Sequence, residues 1–321
     1  MTLSEMANIL DAAEYPKTWA DYIGQEDAKR LLRVAAKSAK LRGVALDHVL
    51  IAHPEPGVGK TALAGLIARE MDREVRVTAG QISKDQARVI LGDMIDGDVW
   101  LIDEFHQLMD SGRKNAEWIL HLLQDGVLPG PFGMEEQPKI TVIAATTDPQ
   151  KLPPAILSRF PLRPQLEAYS REDAAFMAYT MAKRILEGHG MPELSDDDAL
   201  LLADAGDGNP RKMKNLLGNL RDLTLCEEIE LSDGRYDIAG MLAFSGLTPD
   251  GLDKAAQDYL VALARVFGGT AGERALDSHL KLPGGVKDTE SALMKRNLLA
   301  KTSSGRTLTK AGIQRAKELA A

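Results

Sequence analysis

The chain has 321 residues, 44% apolar and 27% charged, with a single cysteine and a formal net charge of −8. That length suits about two domains of ordinary size or three small ones, and the composition excludes a disordered chain, a collagen-like repeat and a disulfide-stapled scaffold. No run reaches the roughly 18 apolar residues of a membrane span, and residues 1–6 (MTLSEM) lack the basic-then-apolar order of a secretory leader, so a cytoplasmic protein without a membrane partner is expected.

In chain order, 48–53 (HVLIAH) reads as a buried strand, followed by a Gly/Pro loop and a helix over 59–71. Strands follow at 74–78 (EVRVT), 99–102 (VWLI) and 140–145 (ITVIAA), with a helix over 113–123 between the last two. Short apolar runs alternating with helical patterns predict a parallel α/β sheet, and its crossovers place helices on both faces. After residue 166 the pattern turns helical, at 171–187, 195–205 and 211–224, with no strand between them. A turn-rich linker, Gly246-Leu247-Thr248-Pro249-Asp250-Gly251, then leads into helices at 252–267, 271–280 and 288–296. Two extended arms within 298–308 flank Ser303-Ser304-Gly305, and a last helix starts at Lys310. Three helices and a hairpin are the order of a winged-helix module. The expected plan is a nucleotide-binding core over 1–165, a small all-helical domain over 166–245 and a winged helix over 246–321. Charge divides along it: 246–321 carries twelve basic against eight acidic residues, the rest 27 against 39, which suggests an acidic body with a mildly basic terminal module.

Pro56-Gly57-Val58-Gly59-Lys60-Thr61 lies between the first strand and its helix. In such a loop glycines let backbone N–H groups turn inward around phosphate oxygens, and the helix N-terminus adds partial positive charge. Lys60 would reach the terminal phosphates and the Thr61 hydroxyl would ligate Mg²⁺. The first glycine of the full pattern is replaced by Pro54. The third strand ends in Asp103-Glu104, at the carboxyl edge of the sheet where ligands bind. Asp103 would hold Mg²⁺ and Glu104 would orient an attacking water. The fourth strand ends in Thr146-Thr147, hydroxyls placed between the loop and Glu104. Arg159, after the next helix, and Arg211, opening a helix after Gly208-Asn209-Pro210, offer planar guanidinium forks for phosphate, although spacing alone fits surface ion pairs equally well.

With these elements in this order the chain resembles the AAA+ ATPases and, more narrowly, the RuvB family of Holliday-junction branch-migration motors. The resemblance rests on Asp21-Tyr22-Ile23-Gly24-Gln25, Asp47-His48-Val49-Leu50, 66–70 (LIARE), Arg76-Val77-Thr78-Ala79-Gly80, Asp103-Glu104-Phe105-His106, Ala145-Thr146-Thr147 and Pro210-Arg211. It continues through Phe267-Gly268-Gly269 and 298–308 in the wing. It implies an ATP site bounded by Tyr22, Ile23, Pro56, Gly57, Val58, Gly59, Lys60, Thr61, Ala62, Asp103, Tyr169, Pro210 and Arg211, with Mg²⁺ at Thr61 and Asp103. Glu104, Thr147 and Lys60 would act on the γ-phosphate, and Arg159 would reach into a neighbour's site in a homo-hexameric ring. Lys301, Arg306 and Lys310 would contact duplex or four-way-junction DNA. Leu157 stands where the family has a second arginine, and Ser304 where the wing is basic. The run 128–138 (LPGPFGMEEQP) is shorter than the family hairpin that docks the junction-binding partner RuvA. That shortening favours a different partner, and the alternative it raises is a loader of a replicative helicase or clamp that uses ATP as a switch.

Overall fold

The computed structural model describes residues 16–320 apart from 111–112, 187–188, 230, 233 and 283–284; the reading of residues 1–6 lies outside the described residues. The chain divides into two compact units, Met1–Glu193 with Gly208–Leu217, and Leu194–Asp207 with Gly218–Ala321. Among the described residues no helix is long and apolar enough to cross a membrane.

The first unit opens with α1 (Glu26–Arg42), then β1 (Val49–Ala52), α2 (Lys60–Glu70), β2 (Val75–Ala79), α3 (Lys84–Gly92) and β3 (Val99–Asp103). Next come α4 (Gln107–Asp110), α5 (Arg113–Asp125), a hairpin of β4 (Val127–Gly130) and β5 (Gly133–Glu136), β6 (Thr141–Thr146) and α6 (Pro154–Leu157). Helices α7 (Arg171–Leu186), α8 (Asp196–Ala205) and α9 (Pro210–Leu225) follow; α7 and the first half of α9 belong to this unit, α8 and the rest of α9 to the second. The four expected strands form one parallel sheet in the order β1-β6-β3-β2. Bridges Val49–Leu162 and Ala52–Gln165 continue it past β1.

Successive side chains of a strand point to opposite faces, and both faces here are apolar. Val99 and Leu101 of β3 join Leu32 of α1 and Leu63 and Ile67 of α2. Trp100 and Ile102 join Ala87 of α3 and Trp118 and Leu122 of α5. The Trp100 indole N–H donates to Thr78 Oγ1 at 3.0 Å, and Trp19, packed against the α1–α2 side, donates to Glu70 Oε2 at 2.8 Å. Helices α1 and α3 are additions to the expected set. The buried stripe of α1 is Ala28, Leu32, Ala36 and Ala39, too small for its periodicity to stand out. α3 is nine residues long and starts on a Ser83–Gln86 capping box, a signature that lies in the cap rather than in an apolar run. Arg88 of α3 anchors the hairpin, donating to Glu135 Oε2 at 3.1 Å and to the Pro129 carbonyl at 2.8 Å; Phe132 at its tip is exposed.

In the second unit α8 and the end of α9 are followed by a small hairpin, β7 (Leu231–Ser232) and β8 (Arg235–Tyr236), and by α10 (Ile238–Phe244). Two-residue strands carry no readable alternation, so this hairpin was absent from the expected helical segment. The terminal module runs α11 (Lys254–Arg265), β9 (Thr270–Ala271), α12 (Glu273–Leu280), α13 (Val286–Lys295), β10 (Leu299–Thr302), β11 (Gly305–Leu308) and α14 (Lys310–Leu319). Its antiparallel sheet has the order β10-β11-β9 over a core of Tyr259, Leu260, Leu263 and Leu293, a winged helix. The wing hairpin is tight against β9: a Cβ on Gly305, at φ +121°, would lie 2.4 Å from the Ala271 carbonyl oxygen.

Candidate functional site

The loop after β1 leads straight into α2, so its backbone amides and the helix N-terminus converge on one place. Gly57 and Gly59 both take left-handed φ, +80° and +102°, a conformation that suits glycine. Lys60, the first residue of α2, is buried and donates from Nζ to the carbonyls of His53 at 3.2 Å and Glu55 at 3.0 Å. Burial lowers the pKa of its ammonium, opposing the pull of Glu104 and Asp103. A partly desolvated cation of this kind gains from an anionic ligand.

Parallel pairing of β3 with β6 brings the ends of both strands beside the loop. Asp103 closes β3, and its Oδ1 accepts the Glu104 N–H at 3.0 Å. Glu104 has φ +48°, unusual for a side chain of its size, and its backbone touches β2's end: a Cβ on Gly80 would lie 2.2 Å from the Glu104 carbonyl oxygen. The Glu104 carboxylate accepts the Thr147 hydroxyl at 2.7 Å and the Thr147 N–H at 3.3 Å. His106 Nδ1 stands 3.3 Å from the same carboxylate oxygen and 3.0 Å from Thr146 Oγ1. Thr146 thus serves His106, and Thr147 alone reaches Glu104.

A cleft of about 400 Å³ is lined by Pro56, Gly57, Gly59, Lys60, Thr61, Ala62, Asp103, Glu104, Pro210 and Arg211, with Lys214 and Asn215 one turn further along α9. The Thr61 hydroxyl and the Asp103 carboxylate that line it are the hard oxygen donors that Mg²⁺ prefers, so these two residues fit that ion. Beside it Tyr22, Ile23, Gly59, Ala62, Tyr169 and Pro210 line a smaller, mostly apolar pocket in which a flat base would be shielded from water. Val58 is buried under these tyrosines: its carbonyl accepts the Tyr169 hydroxyl at 3.1 Å. Sequence reasoning assembled most of this site but missed His106, Lys214, Asn215 and Asn209. The last was legible as a helix cap, Asn before Pro at a helix start.

Arg159 is not among the residues that line the cleft. Its guanidinium donates to Gln124 Oε1 at 2.6 Å, and its Nε is buried with no hydrogen-bond partner among the described residues.

On the wing, Lys301 and Arg306 face each other across β10 and β11. The fully buried Glu290 carboxylate accepts from Arg306 Nε at 2.8 Å, from Lys301 Nζ at 3.1 Å and from the Tyr259 hydroxyl at 3.2 Å. Arg306 also pairs with Glu273. Arg306, expected at a phosphate, has a side chain only 14% exposed, with its guanidinium divided between two carboxylates. Lys301 remains half exposed and Lys310 is exposed at the start of α14.

Comparison with known proteins agrees with this fold. The model of the Holliday junction DNA helicase RuvB P-loop domain matches residues 15–166, and that of the RuvB C-terminal winged helix domain matches residues 249–317. The Holliday junction branch migration complex subunit RuvB of Fervidobacterium nodosum is 32% identical over 92% of this chain and 86% of its own length. That of Kosmotoga olearia is 30% identical over 92% and 87%. The solved Thermotoga maritima RuvB Holliday junction branch migration motor superposes with a TM-score of 0.77 at 28% identity, covering 95% of this chain and 98% of its own. Matched at both ends by the family's two domain models and along nearly its whole length by these relatives, the chain belongs to the RuvB family of Holliday junction branch-migration proteins.

Proposed function

We propose that this chain hydrolyses ATP, with Mg²⁺, to move on duplex DNA and drive branch migration of four-way junctions, working as a homo-hexameric ring. The observation that carries the reading is the convergence of Lys60, Thr61, Asp103, Glu104 and Arg211 on one cleft at the carboxyl edge of a parallel sheet. The loop amides and the α2 N-terminus bind the phosphates, and Lys60 and Arg211 neutralise their charge. Thr61 and Asp103 would hold Mg²⁺, which would supply charge neutralisation at the phosphates. Glu104 orients and polarises water for in-line attack, with Thr147 setting the direction of its carboxylate and sensing the γ-phosphate. Arg159, outside its own cleft, stabilises transition-state charge in the adjoining subunit, a role worth on the order of 10³- to 10⁵-fold in related chemistry.

Segment 1–165 acts as the ATPase domain, 166–245 as a lid and 246–321 as the DNA-binding domain. Lys301 and Lys310 contact phosphates without reading sequence, as a motor requires; Arg306 builds the wing that presents them. The β4–β5 hairpin is short yet formed, and its exposed Phe132 supports docking to a RuvA-like junction-binding protein. The test is ATP turnover by the purified chain with and without a four-way junction, alongside separation of a mobile junction. Junction-stimulated turnover with separation, with or without the RuvA-like protein, is the expected result. Turnover that never separates the junction under either condition overturns the motor reading in favour of a loader.

A further inference from the structure

The phosphate-facing loop is held from its outer side. In a trans peptide the C=O and the N–H of one unit point in opposite directions, so a carbonyl pinned away from the cleft turns the next N–H toward it. Two loop carbonyls are pinned in this way. Asn209 Nδ2 donates to the Pro56 carbonyl at 2.8 Å, which directs the Gly57 N–H. The Tyr169 hydroxyl does the same at Val58, which directs the Gly59 N–H. Neither Asn209 nor Tyr169 lines the cleft itself.

The other end of the Asn209 amide has a second task. Its Oδ1 accepts the N–H groups of Arg211 at 3.0 Å and Lys212 at 3.3 Å, capping α9 at the turn that carries Arg211. The side chain is 7% exposed, so its donors and acceptor have no ready exchange with water. Gly57 meets this corner closely: a Cβ there would lie 2.7 Å from Arg211 Cβ and 2.8 Å from Asn209 Oδ1. One planar amide thus fixes both an amide of the phosphate loop and the root of the arginine above it.

We propose that Asn209 is a positioning residue that couples the shape of the phosphate loop to the placement of Arg211, so that both engage a nucleotide together. The inference rests on the nucleotide-binding reading above and assigns the element that links its two halves. Asn209→Ser keeps a capping oxygen but lacks the donor that reaches Pro56. Titrated with ATP and with ADP, the full-length variant raises Kd about five- to tenfold, the worth of one buried neutral hydrogen bond. In an Arg211→Ala background the same substitution costs less than about twofold, whereas a residue that only pins the loop gives equal penalties in both backgrounds, and one that only caps α9 gives none in either. An unchanged Kd, or equal penalties, overturns the coupling. If Asn209→Ser loses its cooperative melt, Asn209→Thr, also a cap too short for Pro56, takes its place in the cycle. A parent chain that binds neither nucleotide overturns the nucleotide reading and the inference with it. A parent that binds while Lys60→Ala does not keeps that reading intact whatever Asn209→Ser shows.

Discussion

Glu104 is held by three groups that serve different ends: Thr147 aims its carboxylate, His106 stands behind it, and Gly80 makes room for its backbone. Glu104→Gln keeps the shape and removes the charge that polarises water, so turnover falls about 10²- to 10⁴-fold while Kd for ATP stays within about twofold, separable by single-turnover kinetics and equilibrium titration. Gly80→Ala acts on the same residue from the opposite side. Its methyl group meets a backbone oxygen, which no rotamer change relieves, and the substitution costs about 1–3 kcal/mol in urea melts and displaces Glu104, with loss of turnover. Sequence identified Asp103, Glu104 and Thr147 because acids and a hydroxyl at strand ends carry a chemical signature. Gly80 carries none: its φ is not among the left-handed ones, and the demand for glycine arises only when the β3–α4 turn is folded against β2.

At the level of the element, the wing is organised by a buried carboxylate rather than by its apolar core alone. Arg306 and Lys301 hold the Glu290 carboxyl below its ordinary value of 4.5, although burial pushes it upward. A carboxyl depressed in the folded state contributes stability in full above its unfolded pKa and loses it as pH falls through the folded value. The second unit therefore weakens in urea melts on acidification below about pH 4.5, and Glu290→Gln shrinks that acid limb, which Asp250 and Glu273 share, while lowering stability at neutral pH. The two lysines behave differently from the arginine. Lys301→Ala with Lys310→Ala lowers the salt slope of duplex binding by roughly two and weakens the melt less than Arg306→Ala, which leaves Glu290 buried without its main partner. The helix-and-hairpin order of this module was legible as a pattern of apolar runs. The pairing of Arg306 with Glu290 and Glu273, 16 and 33 residues away, was not, because charge placement has no periodicity that announces a partner.

On the scale of the whole molecule, the acidic body and basic end read from composition match a winged helix with Lys301 and Lys310 exposed, and the order of the modules was legible because each has its own periodicity. The line that divides the two compact units was not, since it passes through the middle of α9, between Leu217 and Gly218, where the helical pattern runs on unbroken. Arg159 makes the assembly testable. Arg159→Ala loses turnover about 10³-fold with ATP affinity retained, and Lys60→Ala loses binding. Mixing the two variants restores part of the turnover, because a Lys60→Ala subunit lends its arginine to the intact cleft of its neighbour; a mixture no more active than either variant refutes a shared site. The tryptophans add a consequence of another kind. All three, Trp19, Trp100 and Trp118, sit in the first unit against the two faces of the parallel sheet, while the second unit has only the tyrosines Tyr236 and Tyr259. Indole emission is thus blind to the wing and far-ultraviolet circular dichroism sees every helix, so a denaturation followed by both signals becomes a direct measure of whether the parallel-sheet unit and the winged-helix unit melt as one cooperative body or two.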